Sequence, residues 1–213
     1  MNILEIKDLE KLAQKKVPKM FFDYVNSGSW TETTYNENVS DFQKIKLRQR
    51  VAIDMSNRTL ETEMIGQKVA MPMAIAPTGL TGMQRADGEI LAAQAAEEFG
   101  IPYTLSTMSV CSIEAVAEKT KKPFWFQLYV MKDKKFMERL IDRAKAAKCS
   151  ALVLTLDLQL LGQRHKDIRN GLSTPPKLVP KHIYQVLTRP AWCMRMLTTK
   201  NHFFGNIVGH VDG

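Results

Sequence analysis

Two polar side chains stand at the ends of short apolar runs in the middle of the chain. Tyr129 lies near the end of Lys122-Pro-Phe-Trp-Phe-Gln-Leu-Tyr-Val130, and Asp157 ends Ser150-Ala-Leu-Val-Leu-Thr-Leu-Asp157. Both runs are rich in β-forming residues, as buried parallel strands are. The carboxyl ends of such strands carry the chemistry of α/β folds, so we expect the site there. A phenol and a carboxylate at that edge could serve a lyase or isomerase that needs no flavin.

Strand and helix signals alternate from residue 70 to residue 157. Apolar runs begin near residues 70, 101, 124 and 151, and helical patterns lie between them. Gly100 is a suitable helix stop, and Ser112 and Asp133 are suitable N-caps. The pattern predicts successive right-handed βαβ units. Four such units are either half of a (β/α)8 barrel, which needs ~250 residues when complete, or a small doubly wound sheet.

The flanking segments are predicted to differ from this regular part. Residues 1–69 should form an N-terminal helical cap, with amphipathic helices over 5–16 and 18–26. Residues 158–213 are rich in turn-formers and should form a long loop or excursion after the fourth strand. Basic and large apolar side chains are interleaved over 177–204, a mixture that can lie at a lipid interface. A surface excursion or an oligomer contact is the alternative.

Composition narrows the class of protein. The chain has 45% hydrophobic residues and a net charge of +8, with the basic residues scattered. The aromatic-rich strand at 124–130 carries no basic residue, so nucleic acid is not an expected partner. The three cysteines are widely spaced and there is no metal-binding pattern, which favours reduced thiols in the cytoplasm and no metal. The sequence also lacks a dinucleotide fingerprint, a P-loop and a signal peptide.

Several motifs, taken in order, resemble the FMN-dependent α-hydroxy-acid dehydrogenase and oxidase family. They are Pro18-Lys-Met-Phe-Phe-Asp-Tyr24-Val-Asn-Ser-Gly28, Met71-Pro-Met-Ala-Ile-Ala-Pro-Thr78, Thr104-Leu-Ser-Thr107, Phe126-Gln-Leu-Tyr129 and Thr155-Leu-Asp157. Leu80-Thr-Gly-Met83, Ser106-Thr-Met-Ser-Val-Cys111 and Gly205-Asn-Ile-Val-Gly-His210 are most similar to bacterial L-lactate dehydrogenases that reduce quinones. The resemblance implies a (β/α)8 TIM-barrel fold, of which residues 70–157 would be the first four βα units.

The resemblance also implies FMN as the cofactor. An isoalloxazine ring is a flat apolar body with a polar edge, which a few fixed donors and acceptors can hold. The implied flavin contacts lie at the ends of the four predicted strands. They are the backbone of Ala76, Pro77 and Thr78 and the side chains of Ser106, Gln127 and Thr155.

Four further residues match the family's substrate and catalytic positions. Tyr24 and Arg164 would hold the substrate carboxylate, for which a guanidinium fork is well shaped. Tyr129 would hydrogen-bond to the substrate 2-hydroxyl, and Asp157 would orient a catalytic histidine. Taken singly, Tyr24 could equally be a core residue, Asp157 a helix cap and Arg164 a solvated charge.

Some positions of the chain differ from the family pattern, and these differences bear on the expected substrate and catalytic groups. Met108 stands where glycolate oxidases carry tryptophan, which argues for lactate. Asp157-Leu-Gln159 replaces a more usual Asp-x-Pro, so the following loop should start differently. The family's base histidine, flavin-N1 lysine and phosphate-binding motif have no counterpart in these residues. The histidines at 165, 182, 202 and 210 are expected on the surface or in loops.

We therefore expect the N-terminal portion of an enzyme that oxidises L-lactate to pyruvate, with little turnover by these residues alone. Its electron acceptor would be a quinone, and the full-length protein would be a homo-oligomer. Its expected location is the cytoplasm, with a peripheral contact at the inner face of the cell membrane. A flavin-free barrel lyase or isomerase and a non-catalytic remnant that acts as an interaction domain are the alternatives.

Overall fold

The computed structural model describes residues 2–156, 160, 162–172 and 179–210, which fall into two compact units. One unit consists of Met1–Arg58 and Leu160–Cys193, and the other of Thr59–Gln159 and Met194–Gly213. The described elements are, in chain order, α1 (Ile6–Lys16), α2 (Lys19–Val25), α3 (Thr33–Ser40), a 3-10 turn (Asp41–Lys44), β1 (Thr62–Met64), β2 (Gln67–Val69), α4 (Thr81–Gln84), α5 (Gly88–Phe99), β3 (Thr104–Ser106), α6 (Ile113–Lys119), β4 (Trp125–Tyr129), α7 (Lys134–Ala146), β5 (Ala151–Thr155), α8 (His165–Asn170), α9 (Pro180–Leu187) and α10 (Pro190–Thr198).

Three parallel strands organise the second unit. They lie in the order β3, β4, β5, with Ser106 paired to Gln127 and Tyr129 paired to Thr155. Because the strands are parallel, their carboxyl ends meet at one edge of the sheet. β1 and β2 form a separate antiparallel hairpin. The predicted strands that begin near residues 101, 124 and 151 are confirmed, although the first of them is only three residues long.

The prediction of a strand that begins near residue 70 is wrong. Only Ile75 is bridged, in parallel, to Tyr103. Pro72 has no N–H to give to a ladder, and the Met73 amide turns back to the Met71 carbonyl at 2.7 Å. The chain still runs alongside β3, since the Ile75 amide donates to the Pro102 carbonyl at 2.9 Å. Ala76 and the residues after it therefore follow at the same edge as Ser106.

The core of this unit lies between the strands and helices α5, α6 and α7. Its fully buried side chains include Leu105, Ile113, Phe126, Phe136 and Leu140. The helix ends are fixed as the sequence predicts. The Ser112 Oγ accepts from the Ala115 amide at 3.1 Å, the Asp133 Oδ1 accepts from the Phe136 amide at 3.0 Å, and Gly100 ends α5 with a φ of 85°.

The outer strand β5 carries apolar side chains that the described residues do not cover. Leu152 and Leu154 are 47% and 51% exposed, although they pair with the buried Phe126 and Leu128 of β4. Parallel sheets are ordinarily covered on both faces. Among the described residues, this face of β5 is uncovered and its outer edge has no paired strand.

The first unit is helical. Helices α1 and α2 confirm the two helices predicted before residue 27, and the Met20 amide of α2 donates to the buried Gln185 of α9 at 2.9 Å. The described part of the segment after residue 157, predicted to be a long loop, contains the three short helices α8, α9 and α10. Pro180 and Pro190 begin two of these helices, a position where a missing N–H costs nothing.

One histidine is not where the sequence predicts. His182 is buried in α9, and its Nε2 lies 2.7 Å from the Asn170 carbonyl oxygen. The expectation of a surface or loop position is therefore wrong for His182. His182 lies on the buried, polar face of α9 together with Gln185, inside the helical unit.

Candidate functional site

A row of hydrogen-bonded polar side chains crosses the carboxyl edge of the parallel sheet. The Ser106 hydroxyl donates to the Gln127 Oε1 at 3.2 Å, and the Gln127 Nε2 donates to the Thr155 Oγ1 at 2.6 Å. Each residue comes from a different strand. Ser106 is paired with Gln127, and Thr155 lies on β5 two residues beyond Val153, the partner of Gln127. The structure thus brings together the three side chains that the sequence indicates as flavin contacts.

Hydrogen bonds from the loop after β3 hold the side chains of this row in position. The Thr107 hydroxyl donates to the Gln127 carbonyl at 2.6 Å, and the Met108 amide donates to the Ser106 Oγ at 3.1 Å. Ser106, Thr107 and Gln127 are at most 2% exposed. Since buried polar groups keep their hydrogen-bond partners, the hydroxyl and amide groups of the row have fixed positions.

The backbone of Ala76, Pro77 and Thr78 is exposed and follows the Ile75 bridge. The turn after it is tied to the loop after β3, because the Leu80 amide donates to the Met108 carbonyl at 3.1 Å. The exposed backbone of residues 76–78 can line a flat ring, and the hydrogen-bonded polar side chains beside it can bind the polar edge of that ring. The Thr155 hydroxyl accepts from Gln127, so its own hydrogen can be donated to a ligand. The residues present therefore fit FMN.

Tyr129 ends β4 and lies on the same face as Gln127, two residues before it. Its backbone amide donates to the Thr107 Oγ1 at 3.3 Å, and its side chain is half-buried. Tyr129 therefore stands at the carboxyl end of β4, on the face that carries Gln127. Asp157, the other predicted catalytic residue, lies outside the described residues.

In the helical unit, the structure brings together Tyr24 and Arg164. The Arg164 guanidinium lies over the Tyr24 ring, 4.6 Å from its centroid. Its Nη2 donates to the Ser27 Oγ at 2.8 Å and to the Tyr24 carbonyl, and its Nε lies 3.0 Å from the Asp167 Oδ2. Among the described residues, no hydrogen-bond partner reaches Nη1. Nη1 is therefore the guanidinium nitrogen that could donate a hydrogen bond to a bound anion.

The pKa of Asp167, which lies beside this arginine, is shifted from its usual value. Burial raises the pKa of Asp167, and the charge of Arg164 lowers it only in part. The arginine is therefore held by stacking on Tyr24 and by its hydrogen bonds as well as by this ion pair.

Glu89 is a site-forming residue that the sequence does not single out. Its side chain is completely buried, and its Oε1 accepts from the Gly82 and Val110 amides, each at 2.9 Å. It thereby joins the turn after Thr78 to the loop after β3. From the sequence alone, the position of Glu89 in the first turn of a helix predicts only a favourable interaction with the helix dipole.

A parallel sheet with helices between its strands and polar side chains across its carboxyl edge defines a protein of the (β/α)-barrel type with a ligand site at the strand ends. The chain belongs to the FMN-dependent dehydrogenase family, whose sequence pattern matches residues 13–211. The predicted family and fold class are thus confirmed. The family consists of oxidoreductases that depend on FMN.

Relatives and solved structures agree with this assignment. The chain is 45% identical to an L-lactate dehydrogenase of Vibrio parahaemolyticus over 94% of its length, and 44% identical to one of Haemophilus influenzae over 97%. It spans 53% and 54% of those proteins, about half their length. The structure of the monotopic membrane protein (S)-mandelate dehydrogenase superposes with a TM-score of 0.90 at 32% identity, over 98% of this chain and 56% of that one. Mandelate oxidase superposes with a TM-score of 0.76 at 33% identity, over 84% and 51%.

A bidentate ion pair on the helical side of the sheet gives the strand-containing unit a measurable pH dependence. The Arg143 Nε and Nη2 donate to the two Glu114 carboxylate oxygens at 2.7 and 2.8 Å. This arginine lowers the pKa of Glu114 from 4.5 to about 2. The stabilisation is complete above about pH 4.5 and is lost as the pH falls toward 2.

We expect Glu114→Gln to reduce the acid sensitivity of unfolding. The free energy of unfolding at pH 6 and at pH 3, measured in urea, should fall less in this variant than in the unsubstituted protein. The difference should stay under about 1 kcal/mol because the pair is partly exposed. Glu118→Gln, on the same helix but with an exposed partner, should behave like the unsubstituted protein. An equal acid sensitivity of the Glu114→Gln variant would contradict this assignment.

Proposed function

We propose that these residues form the flavin-edge and substrate-binding part of an enzyme that oxidises an L-2-hydroxy acid with FMN, and that the acid is L-lactate. The hydrogen-bonded row of Ser106, Gln127 and Thr155 carries the proposal, because it presents fixed polar groups at the edge where a flavin would lie. The two L-lactate dehydrogenases described above support the choice of substrate. The partial coverage of those relatives makes the whole enzyme's activity part of this proposal.

When bound, FMN supplies the acceptor for the two electrons of the oxidation. Ser106, Gln127 and Thr155 orient its polar edge, and the backbone of residues 76–78 lines its ring. Tyr129 donates a hydrogen bond at the substrate 2-hydroxyl and stabilises the charge that develops there.

The substrate carboxylate is proposed to bind Tyr24 and Arg164. The Tyr24 ring stacks on the guanidinium, and Nη1, for which the described residues offer no partner, is proposed to give the carboxylate a charge-assisted hydrogen bond. Asp157 is proposed to orient a histidine that takes the substrate proton. The buried His182 is already bound to the Asn170 carbonyl oxygen and is not proposed as that base.

The experiment that tests this function compares two proteins, the 213-residue chain and the protein expressed from its complete reading frame. FMN binding is measured by flavin fluorescence, and L-lactate oxidation by reduction of a soluble dye. We expect FMN binding and L-lactate-dependent dye reduction by the complete protein, and weak binding with little turnover by the 213 residues. Failure of the complete protein to bind FMN would overturn the proposal and favour the flavin-free alternatives.

We further propose that residues 177–204 make a peripheral contact with a membrane at the cytoplasmic face, where a quinone would accept the electrons. In the described part of this segment, α9 exposes Ile183, Tyr184 and Leu187, and α10 exposes Met194 and Leu197. Lys181, Arg189, Arg195 and Lys200 are interleaved with them. Exposed apolar side chains interleaved with basic ones along a sequence suit an anionic lipid interface. The structural neighbour described as a monotopic membrane protein supports the proposal.

No helix among the described residues has the length and apolar character needed to cross a bilayer. In addition to the membrane contact, we propose that the full-length protein is a homo-oligomer.

Leu187→Asp is expected to weaken vesicle binding about tenfold, because a leucine that is 71% exposed in α9 would no longer enter the lipid interface. Sedimentation with vesicles of phosphatidylglycerol and phosphatidylcholine measures the effect. Leu47→Asp is the matched control, since Leu47 is 94% exposed but lies outside the proposed contact. Equal sedimentation of the two variants would contradict the assignment of this segment.

A further inference from the structure

The side chain of Asn206 bridges the two ends of the loop that follows β3. Its Nδ2 donates to the Ser106 carbonyl at 3.3 Å and to the Ser109 Oγ at 2.9 Å. Its Oδ1 accepts from the amide of Ile113, the first residue of α6, at 2.9 Å. Asn206 thus connects the last residue of β3 to the start of the next helix, although it lies 100 residues after Ser106.

The orientation of this amide is fixed by its surroundings. Acceptors lie on the Nδ2 side, and donors lie on the Oδ1 side, where the Arg143 Nη2 also approaches to 3.4 Å. A flipped amide would face donors with donors and acceptors with acceptors. Asn206 is completely buried, so water cannot take over these hydrogen bonds. The Ser106 carbonyl is therefore held by this side chain together with the Ser109 amide, which donates to it at 3.2 Å.

Gly205 allows the close approach. A Cβ on Gly205 would lie 2.6 Å from the Val110 carbonyl oxygen and 2.7 Å from the Ser112 nitrogen, closer than real contacts allow. Its amide donates to the Ser109 carbonyl at 3.1 Å. Gly205 and Asn206 together are thus docked on the inner side of the loop.

We propose that Asn206 is a positioning residue of the flavin site and acts through Ser106. The Ser106 hydroxyl donates to Gln127 and accepts from the Met108 amide, so its direction depends on where the backbone of Ser106 and the loop lie. Gln127 fixes the hydroxyl from the neighbouring strand, and Asn206 fixes the backbone behind it. The inference rests on the proposed function, because it assigns Ser106 to the polar edge of FMN.

Asn206→Asp tests the proposal in the protein expressed from its complete reading frame. The aspartate keeps the shape and the acceptor for Ile113 but turns a second acceptor toward the Ser106 carbonyl. We expect the FMN dissociation constant to rise about tenfold, and hydrogen exchange of the Met108 amide to accelerate about tenfold. Neither readout depends on turnover.

Asn201→Asp is the matched control. Asn201 lies in the same segment, and its Nδ2 donates to the Asp87 Oδ1 at 2.7 Å, away from Ser106. A purely structural role for Asn206 predicts that both variants lower the melting temperature and change FMN binding alike. Our proposal predicts weaker FMN binding and faster Met108 exchange in Asn206→Asp alone.

Ser109→Ala decides the question if Asn206→Asp does not fold. It removes one of the two acceptors that orient Nδ2, and we expect FMN binding about threefold weaker. Unchanged FMN affinity and Met108 exchange in the folded variant would overturn the inference while the proposed function stands. Absence of FMN binding by the unsubstituted protein would overturn both.

Discussion

Replacement of Gln127 by leucine is expected to weaken FMN binding about a hundredfold. The leucine has a similar volume but cannot accept from the Ser106 hydroxyl or donate to the Thr155 hydroxyl. The substitution leaves the hydroxyl groups of Ser106 and Thr155 without their hydrogen-bond partner. It also removes the side-chain amide that is proposed to face the flavin. Buried polar groups that lose a partner cost about 1–3 kcal/mol each, which sets the size of the expected effect.

Fluorescence titration with FMN measures this change in the protein expressed from its complete reading frame. Gln94→Leu is the matched control, because Gln94 is an exposed glutamine of α5 whose Nε2 donates to the Lys119 carbonyl at 3.0 Å. We expect FMN affinity within twofold of the unsubstituted protein in this control, as its side chain is solvated. The same affinity in the Gln127→Leu variant would remove Gln127 from the flavin site.

Tyr129→Phe is expected to lower kcat for L-lactate by about 10²–10³-fold, the effect typical of removing one donor that stabilises developing charge. FMN affinity should not change, because the phenol is assigned to the substrate hydroxyl and the row beside it remains intact. Steady-state dye reduction gives kcat and KM, and fluorescence titration gives the FMN affinity. The two measurements separate a role in catalysis from a role in cofactor binding.

Tyr184→Phe controls for loss of a tyrosine hydroxyl elsewhere, since Tyr184 is 70% exposed on α9. Its kcat with a soluble dye should equal that of the unsubstituted protein. A Tyr129→Phe variant with unchanged kcat would show that this phenol takes no part in the oxidation.

The placement of polar residues on neighbouring parallel strands is the part of the candidate site's geometry that the sequence predicts. Gln127 and Thr155 follow apolar β-forming runs, and parallel strands must bring their carboxyl ends to one edge. The N-caps Ser112 and Asp133 are equally readable, because a cap depends on residues within one turn. Local patterns of this kind determine β4, β5 and the helices α6 and α7.

The parts that the sequence did not reveal depend on contacts between distant residues. Pro72 interrupts the first predicted strand, but only the pairing partner shows that one bridge at Ile75 remains. Glu89 and Asn206 have unremarkable positions in the sequence, and their roles depend on backbone amides and carbonyls brought near by the fold. His182 is buried for the same reason.

The segment after residue 157 shows a different limit. Its prolines indicate turns when they are considered alone, yet Pro180 and Pro190 stand at the first position of a helix. The apolar residues of α9 follow a helical spacing that neighbouring turn-formers obscure. A short helix flanked by proline and glycine is therefore easily mistaken for a loop.

The most direct test of the proposed function is anaerobic addition of L-lactate to the FMN-loaded protein expressed from its complete reading frame. We predict that the visible absorbance of the flavin is bleached as substrate electrons reach it, and that D-lactate at the same concentration leaves the spectrum unchanged. A flavin spectrum that L-lactate does not alter would contradict the proposal that this site oxidises an L-2-hydroxy acid.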